Sequence, residues 1–170
     1  MSLTSQLTAP LSAEALKKID REVAKYPPEQ KQSAVMAALA IAQTEKGWLS
    51  TDTIAEVAKY LGMPAIAAHE VATFYTMYNV KPVGQYKVTV CTNLPCALSG
   101  GTDAAEYLKQ KLGIDFNETS ADGCITLKEG ECMGSCGDAP VLLVNNARMC
   151  SFMSNEKLDA LVSELKGGKA

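Results

Sequence analysis

The sequence predicts an α+β fold in two parts, an N-terminal helical bundle followed by a small α/β domain. Three observations carry that prediction. Apolar residues recur at helical spacing, with a cap or breaker at most ends, from Ser12 to about Met77. The run Lys81-Pro82-Val83-Gly84 then interrupts the pattern as a linker. Beyond it the order reads strand, helix, strand, strand, strand, helix. The boundary is placed after Pro82, giving parts 1–82 and 83–170.

The helical part is read element by element. Ser12 caps a helix that carries Leu16, Ile19 and Val23 on one face. Pro27-Pro28 breaks it, and Pro28 suits the first turn of the next helix. That helix repeats Val35, Ala38, Leu39 and Ala42 and stops at Gly47. A third follows Ser50-Thr51, with Ile54, Val57, Ala58 and Leu61 inward and Gly62 as its stop. A fourth spans about Ala65 to Met77, with Val71, Phe74, Tyr75 and Tyr78 on one stripe. That stripe is either internal core or a docking face.

The second part opens with Tyr86 to Cys91 (YKVTVC), alternating and Val-rich, as a strand. Thr102 is placed as the cap of a helix reaching Leu112. Cys124 to Lys128 and Val141 to Val144 read as strands, and Ala147 to Phe152 completes a hairpin across Asn145-Asn146. Ser154 caps a last helix with Leu158, Leu161, Val162 and Leu165 inward.

Composition narrows the functional classes. The chain has 170 residues, 47% of them hydrophobic and 21% charged, so a packed core forms without disulfide staples. A net charge of −3 argues against a nucleic-acid partner. No apolar run approaches the roughly 20 residues that span a bilayer. The opening MSLTSQLTAP lacks the charged and apolar regions of a secretory signal. Six cysteines without an export signal point to metal or redox chemistry. By the same reasoning Asn117-Glu118-Thr119 is a chance match to a glycosylation acceptor.

Four of the cysteines form two close pairs, Cys91/Cys96 spaced C-x4-C and Cys132/Cys136 spaced C-x3-C, each where a predicted strand gives way to a loop. Thiolates ligate both iron–sulfur clusters and zinc. A [2Fe–2S] cluster takes four Cys, one pair per iron, and plant-type ferredoxins use a C-x4-C step. Structural zinc sites favour C-x2-C knuckles, often with His. Spacing alone leaves both open and leans modestly to iron–sulfur. The chain has one histidine, so a Rieske centre, which needs two, is excluded. That residue, His69, is placed on the surface of the fourth helix. No C-x-x-C dithiol motif occurs. Cys124 and Cys150 fall within predicted strands and read as small buried residues.

The surroundings suit an anionic group. Ser99-Gly100-Gly101-Thr102 brings close backbone and a helix N-terminus. Gly134 and Gly137 offer the same beside the second pair. No Lys or Arg occurs between Lys87 and Lys109, while Glu129, Glu131 and Asp138 flank the second pair. That balance predicts a low reduction potential.

Taken in order, these residues resemble the NuoE-type subunit of respiratory complex I, the NADH:quinone oxidoreductase, over nearly the whole chain. The resemblance is carried by Gly47-Trp48-Leu49-Ser50, Val71-Ala72-Thr73-Phe74-Tyr75 and Pro82-Val83-Gly84 in the first stretch. Further on it is carried by the Cys91/Cys96 pair, Asp122-Gly123, Glu131 to Cys136, and Ala139-Pro140-Val141. It lifts iron–sulfur well above zinc. It implies a helical docking module over 1–82 and a thioredoxin-like ferredoxin domain over 83–170. It further implies one [2Fe–2S] cluster on Cys91, Cys96, Cys132 and Cys136, and no catalytic residue of the chain's own. FMN and NADH are then held by a neighbouring flavin-binding subunit. The chain is expected in the cytoplasm, peripheral to the inner membrane through the complex, with no membrane insertion of its own. Related subunits serve NAD-linked hydrogenases and formate dehydrogenases. Cys124-Ile125 departs from the family's usual residues and leaves an extra thiol near the second pair. Thioredoxin-like folds often place a cis-proline where Pro140 stands, against the ordinary trans preference of X–Pro bonds.

Two rivals are weaker. Ile54 to Tyr75 resembles a helix-turn-helix, but Ala65 to Met77 contains no Lys, Arg, Asn or Gln to read bases or hold phosphates. A free, mobile ferredoxin explains the second part and leaves the helical part without a role.

Overall fold

The computed structural model describes residues 10–168. The opening segment, read as lacking a secretory signal, lies outside the described residues up to Ala9, as does the end of the polar tail. The chain forms two compact units that divide between Pro82 and Val83.

The first unit holds α1 (Ala13–Val23), α2 (Val35–Lys46), α3 (Thr51–Leu61) and α4 (Ala65–Phe74). Ser12 and Ser50 cap α1 and α3, their hydroxyls accepting from Ala15 N and Thr53 N at 3.1 Å each. Such caps are worth about 1 kcal/mol apiece. The core joins Ile19 of α1, Leu39 of α2, Ile54 and Val57 of α3 and Ala68 of α4, all fully buried. Gly62 ends α3 in the left-handed region at φ 70°, which costs a residue without a Cβ nothing.

Two readings of this unit are corrected. Pro28–Ala34 forms a 3-10 segment, and the regular helix begins only at Val35. Helix α4 stops at Phe74, short of Met77. Tyr75 turns extended there, and the chain latches onto α2. The Tyr78 hydroxyl donates to Met36 O (2.8 Å), and Gln43 Nε2 donates to Met77 O (3.0 Å). The Met77 carbonyl thus accepts from a side chain of α2 instead of from a further helical turn. The aromatic stripe therefore splits. Tyr78 is buried and Val71 packs on the core, while Phe74 is 78% exposed and Tyr75 also faces outward.

The second unit is built on a four-stranded sheet of order β2-β1-β3-β4. Its elements are β1 (Tyr86–Cys91), α5 (Leu94–Leu98), α6 (Gly101–Leu112), β2 (Ile125–Gly130), β3 (Leu142–Val144), β4 (Arg148–Cys150) and α7 (Asn155–Gly167). Strand β1 is central, parallel to β2 and antiparallel to β3. Val88, Val90, Ile125, Leu127 and Val144 join Leu108 of α6 and Leu158 and Leu161 of α7 in one core. Ser154 caps α7, accepting from Lys157 N.

Several boundaries shift in this unit as well. Cys124 precedes β2, which runs to Gly130. The β3 and β4 strands are shorter than alternation predicts. Gly100, not Thr102, is the N-cap of α6. Helix α5 is an addition to the expected elements. Asn93 at its N-cap and Pro95 in its first turn are its signal. The Ala139–Pro140 bond is cis.

Candidate metal centre

The four paired cysteines come from four different kinds of local structure. Cys91 is the last residue of β1, and Cys96 lies on α5. Cys132 lies in the loop after β2, and Cys136 opens a 3-10 turn, Cys136–Asp138. The expected passage from strand to loop is thus corrected at Cys96, which lies on a short helix. Helix α5 explains the orientation of Cys96. Leu94 and Leu98 are four residues apart on one face, 69% and 81% exposed. Cys96, between them in sequence, points the opposite way and is 1% exposed.

Parallel pairing brings the segments together. Cys91 stands opposite Gly130 at the last rung of the β1–β2 ladder, two residues before Cys132. The Cys91 and Cys96 thiols hydrogen-bond each other and are both buried, packed with Val141. Cys132 Sγ and Cys136 Sγ lie 3.5 Å apart, the first exposed and the second half-buried. Cys136 acts electrostatically on both Cys91 and Cys96, so the outer pair lies near the inner one. Among the described residues no three His, Cys, Asp or Glu side chains converge on a single point.

The pairs differ in electrostatic character. Burial, and then the neighbouring Cys91 thiol, push Cys96 up to about 11. The Gly134 N–H, 3.4 Å from its sulfur, and then Cys136 hold the Cys132 thiol below its usual range. Cys132 in turn pushes Cys136 up. A backbone hydrogen bond from Val141 reaches Cys96. Backbone donors aimed at sulfur favour thiolates, the form that binds metal.

The backbone is fitted tightly around the inner pair. A methyl group on Gly101, the first residue of α6, would lie 2.7 Å from Cys91 O and 2.8 Å from Cys96 O. Only glycine permits that approach. Gly100 before it adopts φ 89°, and a Cβ there would meet the Pro140 ring at 3.7 Å. The start of α6, the inner cysteines and Pro140 are therefore neighbours. A set of four thiols in two pairs, with backbone N–H groups at the sulfurs, suits two irons bridged by sulfide.

Cys124 and Cys150 belong to the hydrophobic core as expected, although Cys124 precedes β2, and Cys124 Sγ donates to Leu165 O at 3.5 Å. His69 lies half-buried on α4. Two residues that sequence reasoning does not single out are Thr92 and Asn93. Thr92 Oγ1 donates to Glu129 Oε1 (2.7 Å) and Asn93 Nδ2 to Glu131 Oε2 (2.8 Å). No local pattern announces bonds between positions nearly forty residues apart.

Two close cysteine pairs at one end of a mixed four-stranded sheet, covered by helices, fit an iron–sulfur protein of thioredoxin-like build. The chain belongs to the thioredoxin-like [2Fe-2S] ferredoxins, whose family model matches residues 19–166. It is similar to an NADH-quinone oxidoreductase subunit from Rickettsia bellii. The two are 43% identical over 145 residues, covering 85% of this chain and 86% of that protein. A second relative, an NADH-quinone oxidoreductase subunit from Thermus thermophilus, is 36% identical over 151 residues, covering 89% of this chain and 83% of that one. Among solved structures, an NAD+-reducing [NiFe]-hydrogenase in the H2-reduced state matches with a TM-score of 0.67 at 20% identity. That match covers 78% of this chain and 22% of the larger one, and it concerns the fold.

Proposed function

We infer that this chain is the electron-transfer subunit of an NADH:quinone oxidoreductase and holds one [2Fe–2S] cluster on Cys91, Cys96, Cys132 and Cys136. The observation that supports the reading is that β1–β2 pairing brings two thiol pairs, from segments about forty residues apart, to one end of the sheet. The relatives' names favour the quinone-linked complex over a hydrogenase or a formate dehydrogenase. When bound, the cluster supplies a site that takes up and returns one electron.

The chain's own residues then have separate tasks. Cys91 and Cys96 form the shielded side of the site, and Cys132 and Cys136 form the side open to solvent. Gly134 and Val141 offer N–H groups to sulfur. NADH and FMN are bound by a neighbouring subunit, so the chain's contribution is to hold its cluster within reach of that flavin. The helical unit, residues 1–82, is the docking module and residues 83–170 the cluster domain. The whole sits in the cytoplasm, peripheral to the inner membrane through the complex. Among the described residues no helix is long and apolar enough to cross a membrane.

The test is elemental. Purified chain should contain two iron and two sulfide with negligible zinc. It should give an electron-spin signal only after one-electron reduction. Stoichiometric zinc in protein made with ample iron would sink the reading.

A further inference from the structure

Beyond Cys91 and Gly130 the β1–β2 ladder ends, and the two cysteine-bearing segments are free to part. Three hydrogen bonds prevent that. Thr92 N donates to Gly130 O at 3.3 Å. Thr92 Oγ1 donates to Glu129 Oε1 at 2.7 Å, and Asn93 Nδ2 to Glu131 Oε2 at 2.8 Å. Asn93 lies between Cys91 and Cys96, and Glu131 is bonded directly to Cys132. The far end of the same loop is anchored separately, by Phe152 N donating to Asp138 O (2.7 Å) and Met153 N to Pro140 O (3.0 Å). Between these anchors the loop makes bonds within itself, Ser135 Oγ to Asp138 Oδ2 and Gly134 N to Cys132 Sγ.

We propose that Asn93 and Glu131 are positioning residues that clasp the outer cysteine loop to the inner pair, and that the Glu131 carboxylate also lowers the cluster's potential. The proposal rests on the [2Fe–2S] reading given above. The assignment of the Asn93 amide follows from its partner, because a carboxylate only accepts and the NH2 end must face it. A charged acceptor makes this one of the stronger surface hydrogen bonds. Its leverage comes from position, since slack at Glu131 passes directly to Cys132, the exposed ligand. The negative charge opposes addition of an electron to an anionic centre nearby, by Coulomb's law.

Four variants of the full chain separate these roles. Asn93→Asp sets a carboxylate against a carboxylate, and Asn93→Leu removes the donor. Asn93→Gln keeps an amide donor on a longer stem. Glu131→Gln keeps an acceptor and removes the charge. Release of iron to ferrozine under reducing, anaerobic conditions measures the clasp, and an electron-spin redox titration measures the potential. Asn93→Asp and Asn93→Leu should release iron at least about fivefold faster than wild type, a difference of about 1 kcal/mol in barrier. Asn93→Gln should recover most of the wild-type rate. Glu131→Gln should stay within about twofold of wild type in iron release, under about 0.5 kcal/mol in barrier, while its midpoint moves upward. Should Asn93→Asp fail to fold, Asn93→Leu gives the same reading. Cluster-loaded wild type with both variants at the wild-type rate overturns the clasp alone. An unmoved midpoint in Glu131→Gln overturns the electrostatic part. Wild type without its two irons overturns the cluster reading and the clasp with it.

Discussion

Cys96 and Cys132 show how differently one chain treats the same side chain. The first is buried and its thiol is pushed up to about 11, while the second is exposed and held down by the Gly134 N–H. A buried thiol with so strong a preference for its proton is a poor isolated ligand. It becomes a good one when iron supplies the positive charge that the interior lacks. Replacing Cys91, Cys96, Cys132 or Cys136 by Ala should therefore prevent a normal cluster. Ser should rescue it partly, with a shifted visible spectrum. Replacing Cys124 or Cys150 by Ala should leave the spectrum nearly intact, because both are part of the hydrophobic core. The cost there should be packing, on the order of 1 kcal/mol, read from chemical denaturation of the loaded protein. Loss of the cluster on Cys124→Ala, with iron retained on Cys132→Ala, would reassign the ligands.

At the scale of elements, α5 and α6 matter more than their length suggests. Helix α6 reaches the inner cysteines only because its first residue lacks a side chain. Gly101→Ala places a methyl group under 3 Å from two backbone carbonyl oxygens, Cys91 O and Cys96 O. Neither is the end of a flexible chain, so β1, α5 or α6 must move. The expected result is a loss of about 2 kcal/mol or more of stability, with reduced iron content at equal expression. Gly137→Ala is the control, because a Cβ there meets nothing within 4 Å. Helix α5 presents Leu94 and Leu98 outward beside the centre, and α4 presents Ile66 and Phe74. On the docking reading proposed above, the exposed Phe74 is the residue to test. Phe74→Asp should cut co-purification with the flavin-bearing subunit several-fold while the iron content stays unchanged. Undiminished co-purification would move that contact away from α4.

At the scale of the whole folded unit, one buried cation gives stability a pH dependence. Lys87, on β1 four residues before Cys91, is 3% exposed, and burial, then Lys128 on β2, bring it down to about 8. Its unfolded value is near 10.5. Between those two values the unfolded chain holds a proton that the folded chain has released. Stability therefore rises with pH across that window, and the cost of burial is fully present below pH 8. A shift of that size amounts to about 3 kcal/mol at most. Raised thiols and Tyr78, pushed up to about 12 by burial, act in the opposite sense at high pH, so a difference measurement is needed. Relative to wild type, Lys87→Met should lose stability steadily as pH rises from 8 to 10.5. A difference that stays flat would show that Lys87 keeps its proton in the folded chain.

The local features were legible because they depend on neighbours in sequence. Ser12 and Ser154 cap the helices as expected, and Ser50, at the expected start of α3, caps it too, since a cap needs only a hydroxyl and an N–H three residues on. Strand β1 has its expected ends, Tyr86 and Cys91, because alternation over six residues is a local signal. The two cysteine pairs stood out for the same reason. Misjudged boundaries are those where a distant partner intervened. Helix α4 ends at Phe74 because Tyr78 and Met77 bond to α2, and β2 runs on to Gly130 because β1 offers it a ladder that far. Which cysteine is shielded, and how Asn93 meets Glu131, depends on register between segments nearly forty residues apart. Residue type and spacing announced a metal centre. Strand pairing and the packing of α5 and α6 decided which thiols face inward, because burial is set by contacts between distant segments that no local propensity encodes.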